Sequence, residues 1–242
     1  MIILDGIPIK DFGLIPLENH SNPVSAPLSH KIKKISGRVG AHITGAEIAP
    51  KYLKFDFALK EKDASLAQIK MNEFATFLLD DLGRPRDVEL IHEYEIDKYY
   101  TVRLDSAIDP QRIRGFGRFS VVFMASDPRK YAVSPSILEL DGAGFNNGNC
   151  PATGKIEIEM TSDADSLDIN LIGTGESIFI EHAFISGDSI TIDLEKEMIY
   201  KNSYSIMQDV FLESDFFKIP VGEFEISVSS GNATLEFTER WL

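Results

Sequence analysis

Apolar and polar residues alternate with a period of two along most of the chain, and with a period near 3.6 in one stretch. Residues 51–60 read KYLKFDFALK: Leu53, Phe55, Phe57 and Leu59 share one face of a predicted strand, and Lys54, Asp56 and Lys60 mark the other. The period then changes. Over residues 64–81, Leu66, Ile69, Phe74, Phe77 and Leu78 fall on one side of a helix. Ser65 and Gln68 have capping-box spacing, and Gly83 with Pro85 supplies the stop. The apolar stripe is expected to pack into a core.

Strand-like alternation resumes at 88–95, 99–104 and 116–125, the last with Phe119, Val121 and Phe123 on one face. Asp127-Pro128 breaks that strand, and AVSPS reads as a linker. A boundary is therefore expected at 130–136, between a β-rich unit at 1–132 that carries the helix and a second unit at 136–242. In the second unit strands are predicted at 137–141, 155–160, 167–171, 177–185, 189–194, 224–229 and 233–241. Gly, Asn, Asp and Ser cluster between them, which suggests an antiparallel sandwich with one wet face. KIEIEM shows the pattern directly: Ile156 and Ile158 point one way, Glu157 and Glu159 the other. At the other end of the chain, Asp5-Gly6 sits between alternating residues as a tight hairpin turn.

Charge sharpens the division. Up to Pro135 the chain has 19 Lys+Arg against 18 Asp+Glu; from Ser136 onward it has 5 against 20. The acidic half should repel nucleic acid and anionic membranes, whereas the near-neutral half can approach its own copies without a large Coulomb penalty. The first residues lack a basic segment followed by an unbroken apolar run, so they do not read as a secretory signal. No run approaches the roughly 18 apolar residues of a membrane span. Cys150 is the single cysteine, which excludes an internal disulfide framework.

The residue types that carry chemistry do not converge in sequence. His20, His30, His42, His92 and His182 show no metal-ligand spacing, and His92 and His182 read as core or interface histidines. No serine lies in a nucleophile elbow. Gly142, Gly144 and Gly148 have GxGxxxG spacing and lead into strand-like sequence, where a phosphate loop needs a helix; a turn is expected there. Arg112, Arg114 and Arg118 surround Phe116, a set that can grip a single strand, but pairing with carboxylates is the simpler reading. Twenty carboxylates in the second half offer some pair at any distance, so they give no support to an acid hydrolase. No catalytic residue, metal or cofactor is expected.

Several segments, in order, resemble the distal tail proteins of long-tailed, siphovirus-type phages and prophages. They are IILDGIPIKDFGL with its DG and FG elements, the ISGRVG loop, FATFLLDDLGRP followed by EYEIDKYY, and FSVVFMASDP. Beyond the boundary come FNNGN, GDSITIDL and the closing FFKIPVGEFEISVSSGNATLEFTERWL. Val39 stands where the family's GRDG-type loop has an acidic residue. The resemblance implies an N-terminal split-barrel-like β domain with one α-helix and a C-terminal galectin-like β-sandwich. It implies six copies in a ring that joins the tail tube to the baseplate or host-adsorption apparatus. The partners would be the tail tube protein and tail-tip or receptor-binding proteins, with no sequence-specific nucleic acid. The place would be the virion tail tip, after synthesis in the host bacterial cytoplasm. Self-assembly is expected in the near-neutral half, at Phe12 and Gly13 of the FG element and Arg38 and Gly40 of the loop. The other reading is a carbohydrate-binding sandwich, for which Trp241, expected to be buried, is the sole tryptophan.

Overall fold

Asp5 and Gly6 both take positive φ, 45° and 76°, which the primed hairpin turn requires and which Gly tolerates without strain. The turn pairs Leu4 with Ile7 and so sets the register of the first strand, Ile2–Leu4. In the computed structural model every residue is described except Met1, Asn19, Lys62, Arg114, Gly115 and Asp141. The side chains of Arg112, Ile113 and Phe116 are also outside the described set, so among the arginines of QRIRGFGR only Arg118 has a described side chain. The chain divides into two compact units, residues 1–130 and 131–241.

In the first unit an antiparallel sheet runs in the order Ile7–Pro8, Ile2–Leu4, Val88–His92, Glu95–Leu104, Phe116–Ala125, Lys51–Lys60, Leu14–Pro16. Its backbone is the ten-residue register from Phe116↔Lys60 to Ala125↔Lys51. The alternation read from the sequence puts Leu53, Phe55, Phe57, Leu59, Phe119, Val121 and Phe123 on the buried face. The sheet curls into a half-barrel over these side chains. Phe57 meets Phe119 and Phe74 with ring centroids 5.8 Å and 6.2 Å apart, distances at which aromatic edges and faces attract.

The helix spans Ala64–Phe77 and departs from expectation in three ways. Its N-cap is Asp63, whose carboxylate accepts from the Ser65 N–H at 2.8 Å, while Gln68 donates to Asn72 instead of closing a box with Ser65. It stops before Asp81, because Asp80 accepts the N–H groups of Leu82 and Arg84 and so competes with further helical bonds. Arg86 Nε donates to the Phe77 carbonyl at 2.6 Å and satisfies one of the C-terminal acceptors. Most consequential is the face it buries: Met71, Phe74 and Leu78 enter the core, whereas Leu66 and Ile69 are 47% and 51% exposed.

The second unit is a sandwich of two antiparallel sheets. One runs Ser136–Glu139, Asn232–Phe237, Gly154–Glu159, Ser189–Asp193, Met198–Lys201, Tyr204–Ser205; the other Ala143–Asn146, Gly222–Val228, Ala164–Leu171, Ser177–Phe184. Ile156, Ile158, Ile190, Ile192 and Leu235 of the first and Leu167, Ile169, Ile178 and Ile226 of the second close on one core. The segment 142–148 is a strand with its flanks where a turn was expected. A Cβ added at Gly144 would lie 2.5 Å from Leu138 Cδ2 and 2.6 Å from the Phe224 ring; one at Gly148 would lie 2.5 Å from the Arg240 carbonyl oxygen. Close packing of an edge strand explains this glycine spacing.

Candidate assembly surface

Between the first-unit strands Leu14–Pro16 and Lys51–Lys60 the chain makes a second hairpin, Leu28–Lys33 with His42–Ile48. The pairs Leu28↔Ile48, His30↔Ala46 and Ile32↔Ile43 fall on one face, and Ser29↔Glu47, Lys31↔Gly45 and Lys33↔His42 on the other. On the polar face Lys31 pairs with Glu47, and Thr44 Oγ1 donates to the Lys31 carbonyl at 3.1 Å. The apolar face has no cover: Leu28, Ile32, Ile43 and Ile48 are 50–68% exposed. A two-stranded hairpin alone in water is marginal, and four aliphatic side chains on one face call for a second surface. The ISGRVG motif marks only the loop at 35–40, and both flanking strands lie outside the strands predicted from the sequence. The alternation at Leu28, His30 and Ile32, and again at Ala46 and Ile48, was the available signal.

The four residues expected to serve self-assembly occupy two places. Arg38 and Gly40 lie in the turn of the exposed hairpin, where Arg38 Nη1 is 2.6 Å from His42 Nε2 and Gly40 has φ 88°. Phe12 and Gly13 lie against the helix. Phe12, which ends the 3₁₀ turn Ile9–Phe12, packs on Phe74 and Phe77 with centroids 5.4 Å and 5.0 Å away. Gly13 closes that turn at φ 74°, and a Cβ there would come within 3.1 Å of Lys70. Above Phe12 the outward side of the helix forms an open groove of about 450 Å³ lined by Ile69, Asn72, Glu73, Thr76 and Phe77.

Several other polar groups are satisfied locally. Buried Asp56 accepts from Arg118 Nη2 at 2.9 Å and Ser120 Oγ at 2.5 Å, the carboxylate pairing expected of that arginine. Buried Lys51 donates to Tyr100 Oη at 2.6 Å; burial, with Lys130 nearby, lowers its pKa, and burial pushes the Tyr100 hydroxyl up. His92 is a core histidine, 5.5 Å from the His20 ring and stacked near Phe55, and burial lowers its pKa. In the second unit His182 joins the two sheets: Nδ1 meets Asp209 at 2.7 Å and Nε2 meets Lys201 Nζ at 3.3 Å. Lys201 also reaches Asp188, whose pKa falls to about 2 because the Ile185 N–H, Lys201 and Asn202 all donate to it. Trp241 is half-buried in the short strand Arg240–Trp241. Among the described residues no group of three His, Cys, Asp or Glu side chains is arranged to hold a metal ion. No described helix is long and apolar enough to cross a membrane.

Family models match both β-rich units. Residues 5–125 match the phage tail protein RIFT-related domain, and residues 147–241 match the siphovirus-type tail component, C-terminal domain. The chain belongs to the family of siphovirus distal tail proteins. It is similar to the distal tail protein of Bacillus phage SPP1, 22% identical over 248 residues that cover all of this chain and 95% of that one. The crystal structure of the SPP1 protein superposes with a TM-score of 0.84 at 17% identity, over 100% of this chain and 98% of the other, and so shares the fold. A chain of the phage P2 baseplate in its activated conformation aligns over 94% of this chain and 90% of that one, at a TM-score of 0.48 and 11% identity, too distant a likeness to bear weight.

Proposed function

We propose that this phage tail component is the structural hub of a tail tip. Copies of the chain form a ring of six that connects the tail tube to the baseplate or host-adsorption apparatus. The chain is made in the host cytoplasm and does its work in the virion, by holding partners in place and not by catalysis. The observation that carries this reading is the uncovered apolar face of the hairpin, in the unit whose charge is balanced. A closed ring gives every such surface a neighbour and leaves none open. The SPP1 relative is described as a paradigm of hub adsorption apparatus in phages that infect Gram-positive bacteria, which is consistent with that role. The acidic second unit would then serve as the docking surface for receptor-binding or other tail-tip proteins.

Light scattering and electron microscopy of the purified full chain, alone and mixed with its tail tube protein, test the proposal. Rings are the expected result. A strictly monomeric chain at high concentration in both conditions would overturn it.

A further inference from the structure

In a ring whose first units grip their copies, some surface of the neighbouring copy must receive the hairpin. The geometry points to the outward groove of the helix Ala64–Phe77 on a neighbouring copy as the seat of the hairpin's apolar face. This inference rests on the ring reading and adds a specific pair of surfaces to it.

Three observations bring the surfaces together. Both carry exposed aliphatic side chains in the single chain: Leu28, Ile32, Ile43 and Ile48 on the hairpin; Ile69 and Phe77 in the groove beside Asn72, Glu73 and Thr76, with Leu66 on the helix turn before it. Their charges are opposite. Residues 28–48 carry Lys31, Lys33, Lys34 and Arg38 against Glu47, a net of +3. Residues 61–81 carry Glu61, Asp63, Glu73, Asp80 and Asp81 against Lys62 and Lys70, a net of −3. A unit that is nearly neutral as a whole thus holds two opposed patches, and such an arrangement steers one copy onto the next in a single sense. The groove is also built to stay in shape. Phe12 props Phe77 from beneath at 5.0 Å, and Arg86 holds the Phe77 carbonyl while its guanidinium stacks 4.5 Å from the Phe77 ring. The contact is head-to-tail, hairpin to groove, which generates a ring when the rotation closes.

Complementation between two defective full-length chains tests the pairing. One carries Ile32→Asp with Ile43→Asp, the other Leu66→Asp with Ile69→Asp; all four positions are exposed, and circular dichroism checks that each chain is folded. Each variant alone is expected to lose ring formation at concentrations where the unaltered chain assembles. Mixed at equal amounts, they should give heterodimers and nothing larger, because one intact hairpin and one intact groove remain per pair. If the hairpin variant fails to assemble while the helix variant still forms rings, the seat lies elsewhere and the ring reading stands. If the unaltered chain never assembles, both fall. Should either aspartate variant misfold, Ile43→Cys and Ile69→Cys in a Cys150→Ser chain replace the test. Oxidation is then expected to give ladders of linked subunits, and absence of any intermolecular link in assembled rings overturns the pairing.

Discussion

The strand pairs Leu28–Lys33/His42–Ile48 and Gly154–Glu159/Ser189–Asp193 are written in the same alternating pattern and come to opposite ends. In the second, Ile156, Ile158, Ile190 and Ile192 are no more than 1% exposed, and Glu157 and Glu159 face water. In the first, Ile32 and Ile43 are 57% and 68% exposed, on strands whose polar face is equally wet. Alternation therefore states which residues share a face, but the opposing sheet decides whether that face is covered. Where the chain itself supplies no cover, the face stays open, and in the proposed ring that difference separates a core from an assembly surface.

The largest test of the contrast is Ile158→Ala, expected to cost about 2–5 kcal/mol in urea unfolding, through lost burial and the cavity left behind. A loss below 1 kcal/mol would mean that the sandwich core is loosely filled. Next comes Asp63→Ala. It removes the carboxylate that caps a helix whose outward face has no cover, and a loss of about 1 kcal/mol is expected in the same measurement.

Acid titration probes how the covered regions hold their polar groups. The carboxyl of Asp188 sits at about 2 against an ordinary 3.8, so its stabilising contribution is complete above about pH 4 and is lost as pH falls toward 2. Asp188→Asn should flatten the stability profile over that window. His92 works at a higher pH. Burial lowers its folded pKa below the ordinary 6.5, so the unfolded chain binds the proton first and stability declines as pH drops through about 6.5. His92→Gln should remove that slope, and an unchanged slope would assign it to another group. The smallest effect is expected at Ile32→Ala, within about 0.5 kcal/mol of the parent in dilute, unassembled protein. A cost comparable to that of Ile158→Ala would show the hairpin to be covered, and the contrast would collapse.

Much of the fold was legible because burial and period agreed. KYLKFDFALK, FSVVFMAS and KIEIEM each placed their apolar residues on the side that the sheets bury. The expected second-unit strands appear within a few residues of their predicted bounds, with 233–241 interrupted before Arg240. The candidate assembly surface was legible only in part. Arg38 and Gly40 stand out through a loop motif while the strands that flank them do not, and periodicity places Leu66 and Ile69 with the core although both are exposed. Helical periodicity shows that residues share a side, and Leu66, Ile69 and Phe74 do lie within one broad stripe. It cannot show that the sheet reaches only the part of that stripe around Met71, Phe74 and Leu78. The strand Ala143–Asn146 was hidden by glycines that are needed for close packing and that read, in isolation, as a turn.

The order of strands in the first sheet carries a cost at the ribosome. Ile2–Leu4 pairs at once with Ile7–Pro8 but finds the partner on its other edge only at Val88–His92, and the long strand Lys51–Lys60 is not covered along its length until Phe116–Ala125 has been made. A nascent chain can wind Ala64–Phe77 early, but it must carry Leu53, Phe55 and Phe57 unsheltered until residue 125 has cleared the exit tunnel. Pairings this distant in sequence form slowly and leave sticky intermediates. Slow synthesis or a truncation before residue 116 should therefore send the product to chaperones or aggregates.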